Sequence, residues 1–161
     1  MEVDKLSARL GVAQAARVQA VLEIAQRQSA QSLPIIAESQ DVLLVCQPLH
    51  TAQQETLMVL YCATRGQLLR AVPLALGSIN MVGIRPHDIF ANALDLPVDS
   101  IVMCHNHPSG DAQPSPADIV FTRRIQAACS LMGYWLRDHI IMARREYYSF
   151  REQHTLDMTG D

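Results

Sequence analysis

The segment richest in reactive side chains is His105-Asn106-His107-Pro108-Ser109-Gly110-Asp111-Ala112-Gln113-Pro114-Ser115-Pro116-Ala117-Asp118. Strand side chains alternate with period two, so His105 and His107 point to the same side and can hold one cation between them, while Asn106 points the other way. Pro108, Ser109 and Gly110 break the strand and turn the chain back. Asp118 then falls in the first turn of the next helix, where its carboxylate can supply an oxygen ligand. Two imidazoles and one carboxylate leave a fourth position open, as in a catalytic zinc site rather than a closed structural one. Zinc held in this way lowers the pKa of a bound water to about 7 and polarises a carbonyl, which is the chemistry of amide hydrolysis. Each part alone has a plainer meaning. Ser115-Pro116-Ala117-Asp118 is also an ordinary helix start, with serine as N-cap, proline at the first helical position and an acid at N3. An isolated His-x-His is more often chance or core. The conjunction of strand, turn and capped helix points to metal, and capping does not stop Asp118 from facing the histidines.

Ser100-Ile101-Val102-Met103-Cys104 is a nearly continuous apolar run after the turn Leu96-Pro97-Val98-Asp99, the pattern of a central strand covered on both faces. It delivers the chain to His105. Downstream, Phe121, Ile125, Ala128, Cys129 and Met132 share one face of a helix that Gly133 stops. Strand-like runs are expected at 55–63, 67–73, 79–84, 134–142 and 147–150, and helices at 13–28, 40–50 and 86–94. Strands interleaved with helices give the fold class α/β, a mixed β-sheet sandwiched by helices and preceded by short helices. The expected organisation is a short helical segment at 1–34, a catalytic domain at 35–152 and a flexible tail at 153–161.

The chain has 161 residues, 49% of them apolar and 18% charged, which excludes wholesale disorder. Its net charge of −3 is the opposite of a basic nucleic-acid footprint, so direct DNA binding is expected to be weak or absent. No apolar run approaches a membrane span, and the start MEVDKLSARL carries acids and has no apolar signal region, so a soluble cytoplasmic protein without a membrane partner is expected. The spacing of Cys46, Cys62, Cys104 and Cys129 matches neither a zinc ribbon nor a small disulfide framework, and buried reduced thiols are expected. Cys104 draws attention only because it abuts His105.

The spacing His-x-His, seven residues, Ser, two residues, Asp resembles the JAMM (MPN+) metalloprotease motif. The wording HNHPSG…PSPAD, with Gly77-Ser78-Ile79-Asn80 upstream and Asp138-His139-Ile140-Ile141 and Tyr148-Ser149-Phe150 downstream, resembles more narrowly the bacterial RadC family over roughly 55–150. Leu10-Gly11-Val12-Ala13-Gln14-Ala15-Ala16 with Glu23 is similar to the tail of the helix-hairpin-helix region that precedes the RadC catalytic domain, a region that would then be truncated here. The resemblance implies a cytidine-deaminase-like α-β-α arrangement, a Zn2+ cofactor, and cleavage of a peptide or isopeptide amide in a protein or peptide substrate. It also implies that Glu55 handles the proton of the attacking water and that Ser115 stabilises the oxyanion. Glu38 is a rival that fits the pattern poorly. His87-Asp88 stand where RadC relatives usually show Arg-Glu after Pro86, which puts in doubt any contact made there.

RadC proteins are traditionally linked to DNA repair and recombination, so a second reading is an accessory module acting through a protein partner or DNA. The acidic balance argues against direct DNA contact, and a steep salt dependence of DNA binding would mark that reading. A metallo-β-lactamase-like site wants an acid where Ser109 stands, and the zinc deaminases want His-x-Glu and Pro-Cys-x-x-Cys; both patterns fail. Asp138 and His139, adjacent on a strand, face opposite ways and read as support for the ligands or as core hydrogen bonding. His50, His87 and His154 read as solvated surface residues.

Overall fold

The computed structural model describes residues 34–74 and 83–155, within the unit Pro34–Asp161. The expected helix at 13–28, the Gly77-Ser78-Ile79-Asn80 segment and the end of the tail lie outside the described residues, as does most of the expected strand at 79–84. Gly83 and Ile84, at the end of that stretch, are not in a strand.

Five strands form one mixed sheet: β1 (Leu57–Cys62), β2 (Leu68–Leu74), β3 (Ser100–Asn106), β4 (Trp135–Met142) and β5 (Tyr147–Ser149), in the order β2-β1-β3-β4-β5. β1 runs antiparallel to β2 and β3, β3 is parallel to β4, and β5 returns antiparallel to β4. The central strand β3 is buried along its whole length, which is why its sequence is apolar without alternation. Pro73 is tolerated in β2 because that strand is the sheet edge.

Each face of the sheet carries its own core. On one, Leu57, Val59, Tyr61, Ile101 and Met103 pack with Ile89 and Phe90 of α2 (Pro86–Phe90) and with Phe121, Ile125 and Cys129 of α3 (Pro116–Met132). On the other, Leu60, Cys62, Val102 and Cys104 pack with Val42, Cys46 and Leu49 from α1 (Ser39–Val45) and the 3-10 turn Gln47–Thr51 that follows it. The fold is therefore an α/β domain with helices on both faces of a mixed sheet.

Three elements depart from expectation. The helix expected at 40–50 ends at Val45, because Pro48 has no N–H to continue the ladder and the chain tightens into the 3-10 turn. The helix expected through residue 94 ends at Phe90, where the Asn92 side chain donates to the Asp88 carbonyl. Met132, expected on the buried face of α3, is 50% exposed in the last turn, just before Gly133 closes the helix with a left-handed φ of 76°.

β4 carries a bulge. Ile101 pairs with Leu136 but Val102 pairs with Asp138, leaving Arg137 without a partner on β3. Leu136, His139 and Ile141 thus share the α3 face although they differ in parity, and Ile140 and Met142 face α1.

Candidate metal centre

The carboxyl end of β3 presents His105 and His107 toward α3, and the register of β1 brings a third residue to the same place. Leu57 pairs with His105, so the antiparallel ladder, continued two residues back, sets Glu55 opposite His107 and on the same face. Glu55 stands in the segment before β1 rather than in the strand expected from 55, and its side chain is 38% exposed. From the other side, α3 begins with Ser115 as N-cap and puts buried Asp118 at N3.

The four residues singled out for metal chemistry and proton handling converge. One potential ligand atom from each of Glu55, His105, His107 and Asp118 lies within 4.8 Å of the others. His105 Nε2 and His107 Nε2 are 3.0 Å apart. Asp118 Oδ1 is 3.6 Å from His105 Nε2, and Asp118 Oδ2 is 3.5 Å from His107 Nε2. Glu55 Oε1 is 4.0 Å from His105 Nε2. Two metal bonds of about 2.05 Å at a tetrahedral angle hold their donor atoms about 3.3 Å apart, close to the three separations among His105, His107 and Asp118. His107 Nδ1 lies 2.8 Å from the Asp111 carbonyl, which can only accept, so Nδ1 carries a proton and Nε2 is the nitrogen turned toward the group. Nε2 faces a carboxylate and a second ring nitrogen, a donor set suited to a cation.

Burial and mutual charge shape the titration of these groups. Burial lowers the His105 pKa well below the ordinary value, and His139 and His107 push in the same direction. Burial would raise Asp118, but hydrogen bonds with His107 and Ser115 and the His105 ring outweigh it and hold the carboxyl far below the usual range. His107 is raised, chiefly by its bond with Asp118. Glu55 is raised, first by burial and then by the Asp118 charge.

Ser115 sits at the entrance, exposed, with its hydroxyl donating to Asp118 Oδ2 at 2.6 Å and accepting from the Asp118 N–H at 3.2 Å. Its backbone N–H also donates to Oδ2, at 2.7 Å. In this arrangement the serine caps α3 and fixes the aspartate. Glu38 lies away from the group: it is the exposed N-cap residue of α1.

Behind the ligands is a buried layer. His139, fully buried and stacked on Phe150, has Nε2 2.9 Å from His105 Nδ1 and Nδ1 2.7 Å from Thr122 Oγ1. Burial pushes its pKa down to about 3, so the ring is neutral. Asp138 faces the other way, accepting from Ser149 Oγ and from the backbone N–H groups of Arg151 and His139. This agrees with the reading of the Asp-His pair as support and core. His50, His87 and His154 are exposed and outside the group, and Cys104 is buried on the α1 face, away from the imidazole beside it in sequence.

Two contributors escaped the sequence reading. Asn106, pointing away from the metal ligands, accepts from the Thr56 N–H at 2.8 Å and donates to the Ala52 and Gln54 carbonyls, both at 3.2 Å. It thereby clamps the segment that carries Glu55. The available signal was its position: a polar side chain on a strand buried on both faces must find partners. Thr122, one helical turn after Asp118, gave no signal beyond a hydroxyl on the buried side of α3. His87 and Asp88 form part of the α2 start, where Asp88 accepts from the Arg85 backbone and pairs with its guanidinium.

A cleft of about 870 Å³ adjoins the group at the carboxyl ends of the parallel strands β3 and β4. His50, Asn106, His107, Met142, Arg144 and Arg145 are among its walls. Among the described residues, neither Arg144 nor Arg145 has a salt bridge, and no carboxylate lines the cleft.

The family model described as the RadC-like JAB domain matches residues 36–155. A UPF0758 protein of Aquifex aeolicus is 34% identical over 148 residues, covering 91% of this chain and 64% of that protein. One from Shouchella clausii is 33% identical over 156 residues, covering 94% and 67% respectively, and one from Haemophilus influenzae is 35% identical over 147 residues, covering 89% and 66%. The chain thus spans about two thirds of the length of these relatives, whose names state no activity.

Proposed function

The chain belongs to the family of RadC-like JAB domains, and from that premise we propose that it is a zinc-dependent hydrolase cutting a peptide or isopeptide amide with water. His105, His107 and Asp118 are the proposed zinc ligands, and Glu55 the proton carrier. The observation that carries this reading is the convergence of the four side chains within 4.8 Å at the end of β3. Two nitrogens and one oxygen with a fourth position left over suit catalytic zinc. When bound, zinc supplies a Lewis acid that brings the pKa of water to about 7 and polarises a carbonyl.

The protein's own groups account for the rest. Glu55, half-exposed with a raised pKa, is placed to take a proton from water and return it to the leaving amine. Asp118 stays ionised through its bonds with His107 and Ser115. Ser115 is proposed to turn its hydroxyl from Asp118 Oδ2 toward the carbonyl oxygen as charge builds there. The cleft beside His107 offers room for the substrate chain.

A protein or peptide is the proposed substrate. The link with DNA repair or recombination that the resemblance implies is proposed to run through a protein partner, in keeping with the net charge of −3. Among the described residues no helix is long and apolar enough to cross a membrane. Four buried free thiols suit a reducing compartment, so the cytoplasm is the proposed location.

Metal analysis of the purified protein should find about one zinc per chain, lost in His107→Ala with the fold retained. Cleavage of members of a peptide library should fall about a hundredfold to ten-thousandfold in Glu55→Gln while zinc stays bound. A chain that takes up no zinc, or cleavage that survives Glu55→Gln, would overturn the proposal.

A further inference from the structure

The cleft beside the ligand group carries positive charge that the centre does not use. β3 and β4 end in register, with Asn106 opposite Met142 and the His107 N–H donating to the Met142 carbonyl at 2.8 Å. β4 then turns into β5 through Ala143, whose N–H donates to the Glu146 carbonyl at 2.9 Å, so Arg144 and Arg145 form the tip of the hairpin. An extended chain advances about 3.3 Å per residue, which puts the Arg144 backbone about 7 Å beyond Met142. Arg144 and Arg145 thus border the same cleft as His107, on the neighbouring strand, and the segment after α1 from His50 to Gln53 completes the lining.

The fold does not call for this pair. Both arginines are exposed, and among the described residues neither guanidinium has a salt bridge or a hydrogen bond. Tight hairpin loops favour Asn, Asp or Gly at the tip, so the turn gives no reason for Arg-Arg. Glu146 follows in sequence but pairs with neither arginine and is not part of the cleft wall. Two like charges side by side repel, and a carboxylate brought from outside relieves both. The guanidinium fork suits that partner, because it can meet both carboxylate oxygens with parallel hydrogen bonds. Following a nucleic-acid backbone would take a longer track of cations. The walls of this cleft hold no Lys and no further Arg, and the chain as a whole carries a net charge of −3.

We propose that Arg144 and Arg145 select the substrate: the cleft takes an acidic peptide segment, with an Asp or Glu side chain about two to four residues from the bond presented to the centre. The distance follows from the position of the hairpin tip, which an extended peptide lying past His107 reaches in a few residues. This rests on the hydrolase reading for the cut itself, but the charge preference belongs to binding and can be measured without cleavage.

The test uses fluorescein-labelled, C-terminally amidated peptide libraries in which one position is fixed as Asp or Glu, or as Asn or Gln in the matched set. Fluorescence anisotropy with the full chain carrying Glu55→Gln, which prevents turnover, should show acidic peptides binding about tenfold more tightly than their amide counterparts, the low end for charge-assisted bonds because the cleft is open to water. The preference should shrink as salt is raised. It should vanish when Arg144→Ala/Arg145→Ala is added, and Arg144→Glu/Arg145→Glu should turn it toward peptides with Lys at the fixed position. In the parent chain the same tenfold preference should appear in kcat/KM. Equal binding of the acidic and amide sets overturns the proposal, as does an acidic preference that survives either double variant. A preference seen only for peptides with a free C-terminal carboxylate overturns the assignment to a side chain, and tighter binding of a single-stranded oligonucleotide, lost in Arg144→Ala/Arg145→Ala, gives the cleft to phosphate instead. Acidic preference in binding with no peptide cut by the parent sustains the assignment of the cleft and sinks the hydrolase reading; cleavage indifferent to acidic residues does the reverse.

Discussion

Asn106 shows how a residue outside the ligand set can govern it. Its amide satisfies one N–H and two carbonyls of the segment at 52–56, so Glu55 is held by its neighbours' backbone rather than by contacts of its own. Asn106→Ala takes their partner from backbone groups that are half-buried or exposed and that water can partly serve, a cost of about 0.5–1.5 kcal/mol. The expected outcome is zinc content unchanged and cleavage reduced, because the metal ligands stay in place while Glu55 loses its fixed distance. Denaturant titration and metal analysis of the same preparation check both halves. His105, His107 and Asp118 were legible in the sequence because their geometry follows from local rules, period two on a strand and N3 on a capped helix. The partners of Asn106 lie some fifty residues upstream, and only the pairing of β1 with β3 brings them together.

At the scale of elements, α3 is both a wall of the core and the support of the centre. Its buried Phe121, Ile125 and Cys129 fix the helix against the sheet, and its first turn fixes Asp118 through Ser115. Ser115→Ala removes the N-cap acceptor and one of the bonds to Asp118 Oδ2. The expected loss is about 0.5–2 kcal/mol of stability, read from the urea midpoint, with zinc affinity lowered by the same change. The extent of α3 was plain from its cap, its periodic apolar residues and its terminal glycine. The short helices were less so. α1 and α2 are each ended by one residue, Pro48 or Asn92, whose effect depends on where the preceding carbonyls point.

The whole molecule hides its four cysteines, all free and buried. Burial pushes the Cys62 thiol up to about 11 and the Cys129 thiol up to about 12, whereas in the unfolded chain both titrate near their ordinary value of about 8.5. The folded pKa lies above the unfolded one, so the stability these groups contribute is complete below pH about 8.5 and is lost as pH rises toward 11 and 12. The slope is up to about 1.4 kcal/mol per pH unit for each thiol. Urea midpoints measured from pH 7.5 to 10.5 should fall accordingly, and the slope should flatten in the double variant Cys62→Ala/Cys129→Ala. The two-faced sheet that buries these thiols was readable from the interleaved strand and helix patterns. The bulge in β4 was not, since strict alternation along 134–142 groups Leu136 with Asp138 instead of His139. Arg137 is in this sense a spare letter in β4: take it out and Leu136, Asp138 and His139 fall into ordinary alternation with the same sides still facing the same neighbours. Removing that one residue should leave zinc uptake intact and cost the bond from Arg137 to the Ile36 carbonyl and the packing of its guanidinium over the Trp135 ring. A one-residue deletion is usually ruinous inside a sheet; here the spelling of the strand has the slack to absorb it.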